Sequence, residues 1–268
     1  MADDQQLEYD EEPSAEQPAQ QRAPAQDTGS DLPVKQGAVF GAIAVIATYL
    51  THLLLTAIST AGASPATGTQ GVGEDASFVA ADMVASWEAA GWSYLGVFGT
   101  GFEAEGQSAG LGDAPNHAAA FVSSPFALSS TFLFLVTIGG IVAAGYAVAR
   151  YTGADDAVEA TKAGVTVAVP YLVFAALVAI VMTHSYSTVP SIEALVGTSE
   201  GAGVVGLEQS QFIGDENTVT SSVEFGPSTT DAILYAGLVV PAVLGALGGL
   251  LTQRRDAIDT LMAKIDQQ

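Results

Sequence analysis

The sequence predicts an all-α membrane protein: a four-transmembrane-helix bundle with an external cap, helical or irregular, built from two long loops. Three observations predict it. Four apolar blocks are each long enough to cross a hydrocarbon core of about 30 Å. Only 13% of the residues are charged, against about a quarter in an average soluble domain, and the acids collect between the blocks. All seven Lys and Arg flank the blocks on one side.

The blocks, taken in order, divide the chain. Residues 1–33 are rich in Gln, Pro, Ala and acid, with little to bury, and read as a disordered acidic tail ending at Pro33. The first block covers about 36–58, QGAVFGAIAVIATYLTHLLLTAI. The small-residue run Ala61 to Ala63 imitates a signal-peptide cleavage site. The long acidic stretch before the block and the length of its apolar run favour a retained anchor. The second block covers about 127–151, the third 163–182 and the fourth 232–251. In lipid, a lone segment satisfies its backbone only as a helix. The membrane domain is therefore 34–252, followed by a short amphipathic tail, 253–268.

Arg22 and Lys35 precede the first block, Arg150 and Lys162 lie between the second and third, and Arg254, Arg255 and Lys264 follow the fourth. Loops 59–126 and 183–231 contain no Lys or Arg. The positive-inside rule then places both termini in the cytoplasm and both loops outside. In the first loop, EDASFVAADMVASWEAAG sets Val79, Met83 and Trp87 on one helical stripe, with Gly91 placed to end the helix. That helix either lies on the membrane or forms part of the cap. Lys35-Gln36-Gly37 and Lys162-Ala163-Gly164, each opening a hairpin, suggest a tandem duplication, as do Pro125 and Pro227, each followed by hydroxyl residues.

The net charge of -22 excludes a general nucleic-acid binder, which needs a basic footprint. So much like charge repels itself unless salt screens it, which points to a halophilic source. The chain has no Cys, so disulfides and thiolate metal sites are excluded. No phosphate-binding Gly loop, nucleophile elbow or HExxH motif occurs. No catalytic residue, metal ligand or cofactor is expected.

Three sets of residues remain as candidates. His52 is an ionisable side chain well inside a block, a costly placement that suggests a proton or solute pathway; the structural alternative is a neutral imidazole bonded to a neighbouring helix. His184 ends the third block, and His117 shares no ligand spacing with either. Pro170 and Pro241 interrupt the third and fourth blocks, as in transporters with broken helices, while Asp231 reads as a helix cap. Gly237, Pro241, Gly245 and Gly249 recur every four residues, and Gly37 and Gly41 make a shorter version. Such smooth ridges serve helix packing, or contact with a second copy or another membrane protein.

The acid excess, the low Lys count and the segment LPVKQGAVFGAIAVIATYLTHLLLTA resemble uncharacterised haloarchaeal multi-pass membrane proteins, some carrying a transporter-like label. The resemblance implies source and location, and brings no functional residues. The sequence thus leads to a non-enzymatic protein of the cell membrane, a structural or accessory subunit in contact with the bilayer. The competing reading is a small transporter with a pathway at His52, His184, Pro170 and Pro241.

Overall fold

A computed structural model describes residues 32–62, 64–116, 127–197 and 203–253. Almost all of the two predicted tails, with Arg22, Arg254, Arg255, Lys264, His117 and Pro125, lies outside the described residues.

Four helices are long and apolar enough to cross a membrane: Val34–Thr60, Leu128–Thr152, Ala157–Val181 and Thr229–Leu250, with mean hydropathy between 2.0 and 2.4. The first is α1 (Val34–Thr60). Its solvent-accessible face carries Val39, Ile43, Ile46, Leu50, Leu54 and Ile58. Its buried face carries Gly37, Gly41, Val45, Thr48, His52, Thr56 and Thr60. A water-soluble helix puts its large aliphatics inward. Here they point outward and the small and polar residues inward, the arrangement expected where hydrocarbon is the solvent.

The second spanning helix is α3 (Ala127–Thr152). The third begins at Ala157, six residues before its predicted start. Asp156 caps it by accepting from the Val158 and Glu159 amides, so the stretch read as a link is its first turns and Lys162 lies within it. This placement differs from Lys35, the second residue of α1, and the two hairpins do not begin alike. Pro170 divides the span into α4 (Ala157–Val165) and α5 (Ala168–Val181). Without an N–H, Pro170 leaves the Thr166 carbonyl without its helical donor. That carbonyl accepts from Val169 at 3.3 Å instead, through a tighter local turn.

The fourth spanning helix, α7 (Thr229–Leu250), is π-helical over Ala232–Val239. The Val240 amide donates to the Tyr235 carbonyl. The wide turn ends just before Pro241, whose ring would otherwise press on the carbonyl four residues back. Asp231 does not cap this helix. Its carboxylate lies in the first turn and accepts from the Gly101 amide at 3.1 Å, tying the first loop to α7.

The described parts of both long loops form two small sheets beside two helices, which corrects the expectation of a helical or irregular cap. β1 (Thr67–Gln70) and β2 (Ser77–Ala80) pair antiparallel. β3 (Phe102–Ala104), β4 (Gln107–Ala109), β5 (His184–Tyr186) and β6 (Val223–Pro227) form an antiparallel sheet of order β4-β3-β6-β5. Glu105 and Gly106, both at positive φ, make the tight β3–β4 turn. Because β3 pairs with β6, with Phe102 opposite Pro227 and Ala104 opposite Phe225, the two loops share one sheet.

The helix predicted around Val79, Met83 and Trp87 is mostly strand and extended chain. The actual helix, α2 (Ser86–Gly96), runs through Gly91 instead of ending there. Gly91 is required for a different reason: a Cβ there would strike the sulfur of Met182. α2 is buried from Ala89 to Leu95 and packs against α1 and α5. Trp92 stacks edge-on against Phe102 and Phe225 and donates its indole N–H to the Met182 carbonyl at 2.6 Å. α2 therefore joins the sheet to the end of the third span. A short helix, α6 (Val189–Val196), completes the second loop's core with Ile192 and Leu195.

Candidate functional site

The buried face of α1 presents Thr48, His52, Thr56 and Thr60 at intervals of four residues. His52 is fully buried. Its Nδ1 lies 3.0 Å from Ser93 Oγ on α2, and its Nε2 lies 3.0 Å from Thr137 Oγ1 on α3. The Tyr94 ring meets the imidazole edge-on at 5.3 Å. A neutral imidazole offers one donor and one acceptor. Two hydroxyls, each able to play either part, satisfy it in either tautomer without a countercharge. The site thus holds three helices together through one side chain, and α2 reaches the histidine from a loop.

Ser93 also lines a cavity of about 560 Å³ between the end of α2, the start of β3, the end of β4 and the first turns of α3. Thr100 lines it too, and its buried hydroxyl has no hydrogen-bond partner among the described residues. The walls are apolar at Val97, Leu111, Leu133 and Phe134.

The structure separates the residues proposed for a transport pathway. Pro170 packs against α1 opposite Gly41, where an added Cβ would lie 2.5 Å from its ring. Gly41 is eleven residues from His52 on α1, about 16 Å at the rise of an α-helix. Pro241 is buried in α7. Neither proline lines the cavity beside Ser93. His184 bonds through Nδ1 to Glu88 Oε2 at 3.1 Å, at the start of α2, and its ring packs on Tyr186 at 4.8 Å. Glu88 and Ser93 are five residues apart, so the two histidines hold different turns of α2. Among the described residues, no group of three His, Asp or Glu side chains is placed to hold a metal ion.

The glycine ridge of α7 is covered within the chain. Gly245 lies against Gly145 of α3 and Gly164 of α4, Gly249 against the Ala160 carbonyl, and Gly237 against Leu172. On α1, Gly37 meets Thr166. At Gly245 and Gly249 backbone lies directly against backbone, leaving no room there for a helix from a second protein.

Residues 16–256 match the model of DUF7978, a family of unknown function. The chain belongs to this family. Neither the curated proteins nor the solved structures yield a match. For this DUF7978 protein, a functional reading therefore rests on the residues themselves.

Three positions that matter here escape a reading of the sequence. Ser93 and Thr137 are ordinary hydroxyls until the fold brings them to His52. Asp82, in what reads as a surface helix, accepts from the Ser187 amide at 2.6 Å and from the amide and hydroxyl of Thr188 at 3.0 and 3.1 Å. It fastens the first loop to the start of the second. The available signal is the four-residue spacing of Thr48, His52, Thr56 and Thr60, which marks a polar face inside an apolar helix.

Proposed function

We propose that this DUF7978 protein is a non-enzymatic accessory or structural membrane subunit that displays a folded acidic platform outside the cell membrane. The observation that carries the reading is the sheet shared by two loops that lie far apart in sequence. A sheet built across both loops, fixed to the spans by Trp92 and Asp231 and with the loops fastened together by Asp82, offers one continuous surface. Its Glu103, Glu105 and Glu224 line a depression of about 430 Å³. The absence of Lys and Arg from both loops supports the outward orientation. Lys35, Arg150 and Lys162 stand near the other ends of their helices, which supports cytoplasmic termini. The acid excess supports a salt-rich habitat. With the α7 ridge occupied internally, the acidic platform is the partner surface of this reading, and a partner with basic residues is the expected class.

Orientation is tested by introducing single cysteines into this Cys-free chain. Ser108→Cys in β4 should react with a membrane-impermeant maleimide in intact cells, and Thr161→Cys in α4 should react only after lysis. The subunit role is tested by purification from native membranes in mild detergent. Wild-type protein should carry a stoichiometric partner, and the triple variant Glu103→Lys, Glu105→Lys, Glu224→Lys should lose it. A monomeric protein that supports solute flux in proteoliposomes, with flux lost in His52→Ala, would establish transport instead.

A further inference from the structure

The cavity beside Ser93 has the chemistry of a ligand site. We propose that it binds one uncharged amphiphile drawn from the bilayer, a lipid with hydroxyl or ester oxygens and no net charge. Among the described residues, no Asp, Glu, Lys, Arg or His side chain lines it. An ionic group would meet no countercharge there, which favours an uncharged lipid over an anionic or cationic one. Its volume of about 560 Å³ falls among ordinary small-molecule sites, about 300–1,000 Å³.

Two hydroxyls serve as anchors. Thr100 is 6% exposed and its Oγ1 is buried without a partner among the described residues. An unpaired buried hydroxyl carries a desolvation penalty that a ligand oxygen removes. Ser93 uses one hydrogen-bonding function on His52. If it accepts from the imidazole, its proton is free for a ligand. If it donates, its lone pairs are free. Either His52 tautomer therefore leaves Ser93 able to take a hydroxyl or an ester oxygen.

The route of entry follows from Phe134, which lines the cavity and is also 46% exposed on the flank of α3. Further around that helix, Leu135, 62% exposed, and Phe132, 51% exposed, continue the exposed arc. Such a flank faces hydrocarbon. Phe134 lies six residues into the span that begins at Leu128, about 9 Å along its axis. That depth suits the boundary between headgroups and acyl chains. Val97, Leu111 and Leu133 then pack on the chain while the oxygens reach Thr100 and Ser93.

The test uses full-length protein in detergent and radiolabelled 1-monooleoylglycerol, with lysophosphatidylglycerol as an anionic analogue carrying the same chain. Wild type should bind one monooleoylglycerol saturably and prefer it to the analogue. Thr100→Val keeps the shape and removes the hydroxyl, and should weaken binding about tenfold. Gly96→Phe should abolish binding by filling the space, since a Cβ at Gly96 meets only Leu111, at an ordinary 3.6 Å. Should Gly96→Phe fail to fold, Thr100→Val decides alone. Non-saturable uptake, equal or tighter binding of the anionic analogue, or wild-type affinity in Thr100→Val would overturn the proposal.

Discussion

Among the described residues His52 has no countercharge, so its contribution to the fold depends on Ser93 and Thr137 both being present. Thr137→Val preserves the shape of the side chain but leaves one imidazole nitrogen facing a methyl group in a fully buried site. The expected cost is about 1–3 kcal/mol, the penalty for orphaning a buried polar atom, read as a lower denaturation midpoint in detergent. His52→Leu leaves two buried hydroxyls, Ser93 and Thr137, without their partner and should lower the midpoint at least as far. Tyr186 supplies a pH-dependent counterpart outside the spans. Burial, followed by the nearby Asp82 and Glu88 carboxylates, pushes its phenol above the ordinary tyrosine range. Burial also pushes up Tyr94 on α2. A raised folded-state pKa means the stabilisation is complete below the unfolded value of about 10 and is lost as pH rises beyond it. Wild-type unfolding should therefore accelerate above about pH 10, and Tyr186→Phe should blunt that loss while leaving the midpoint at pH 7 nearly unchanged. Of these residues only His52 stands out in the sequence, as a titratable group in an apolar block. Its partners lie 41 and 85 residues away, and nothing local in a serine or a threonine announces such a contact.

Elements meet here through backbone, and glycine substitutions measure how closely. An added Cβ at Gly245 would clash with the Gly164 carbonyl and come within 2.6 Å of Val167 Cγ2, while one at Gly139 would meet nothing within 4 Å. Gly245→Ala should thus force α7 away from α4, at a cost of about 1–3 kcal/mol or more. Gly139→Ala sits on the same class of helix in open space and should be neutral or stabilising by up to about 1 kcal/mol through propensity. Equal effects in a thermal-shift comparison would mean that α7 does not pack as closely as the structure places it. The four-residue spacing makes the ridge visible in the sequence, but not its partner, since a smooth face serves a neighbouring helix of the same chain and a second protein equally well. Boundaries are legible where hydropathy changes sharply, as at both ends of α1. The third span is expected too late because Glu159 and Lys162 interrupt the apolar run, although Asp156 has already capped the helix. The sheet is invisible for a related reason. Strands of three residues, such as Phe102–Ala104, are too short for alternation to show, and they exist because β3 and β6 find each other across the spans.

The whole molecule must hold this shared sheet together against its own charge. Its 29 acids against seven bases should make it depend on salt, and among the described residues the shared sheet gathers three of them. Glu103 and Glu224 sit on adjacent strands, and Glu105 accepts from the Glu224 amide at 2.8 Å. All three line one depression without a Lys or Arg in either loop. At 0.1 M salt the screening length is about 10 Å, long enough for these carboxylates to repel each other, and at 1 M it is about 3 Å. The spans are nearly free of charge and should be indifferent to salt, so the response should come from the platform or the tails. Raising NaCl from about 0.1 to about 2 M should raise the denaturation midpoint of the wild type. Near-ultraviolet circular dichroism of Trp92, inside the platform core, should follow that change more closely than helix content does. Glu224→Gln removes one of the three charges and should reduce the slope of midpoint against log salt, with the largest gain at low salt. If the slope is unchanged in Glu224→Gln but falls when acids in the tails 1–33 or 253–268 are neutralised, the salt requirement belongs to the tails and the platform is stable by packing alone.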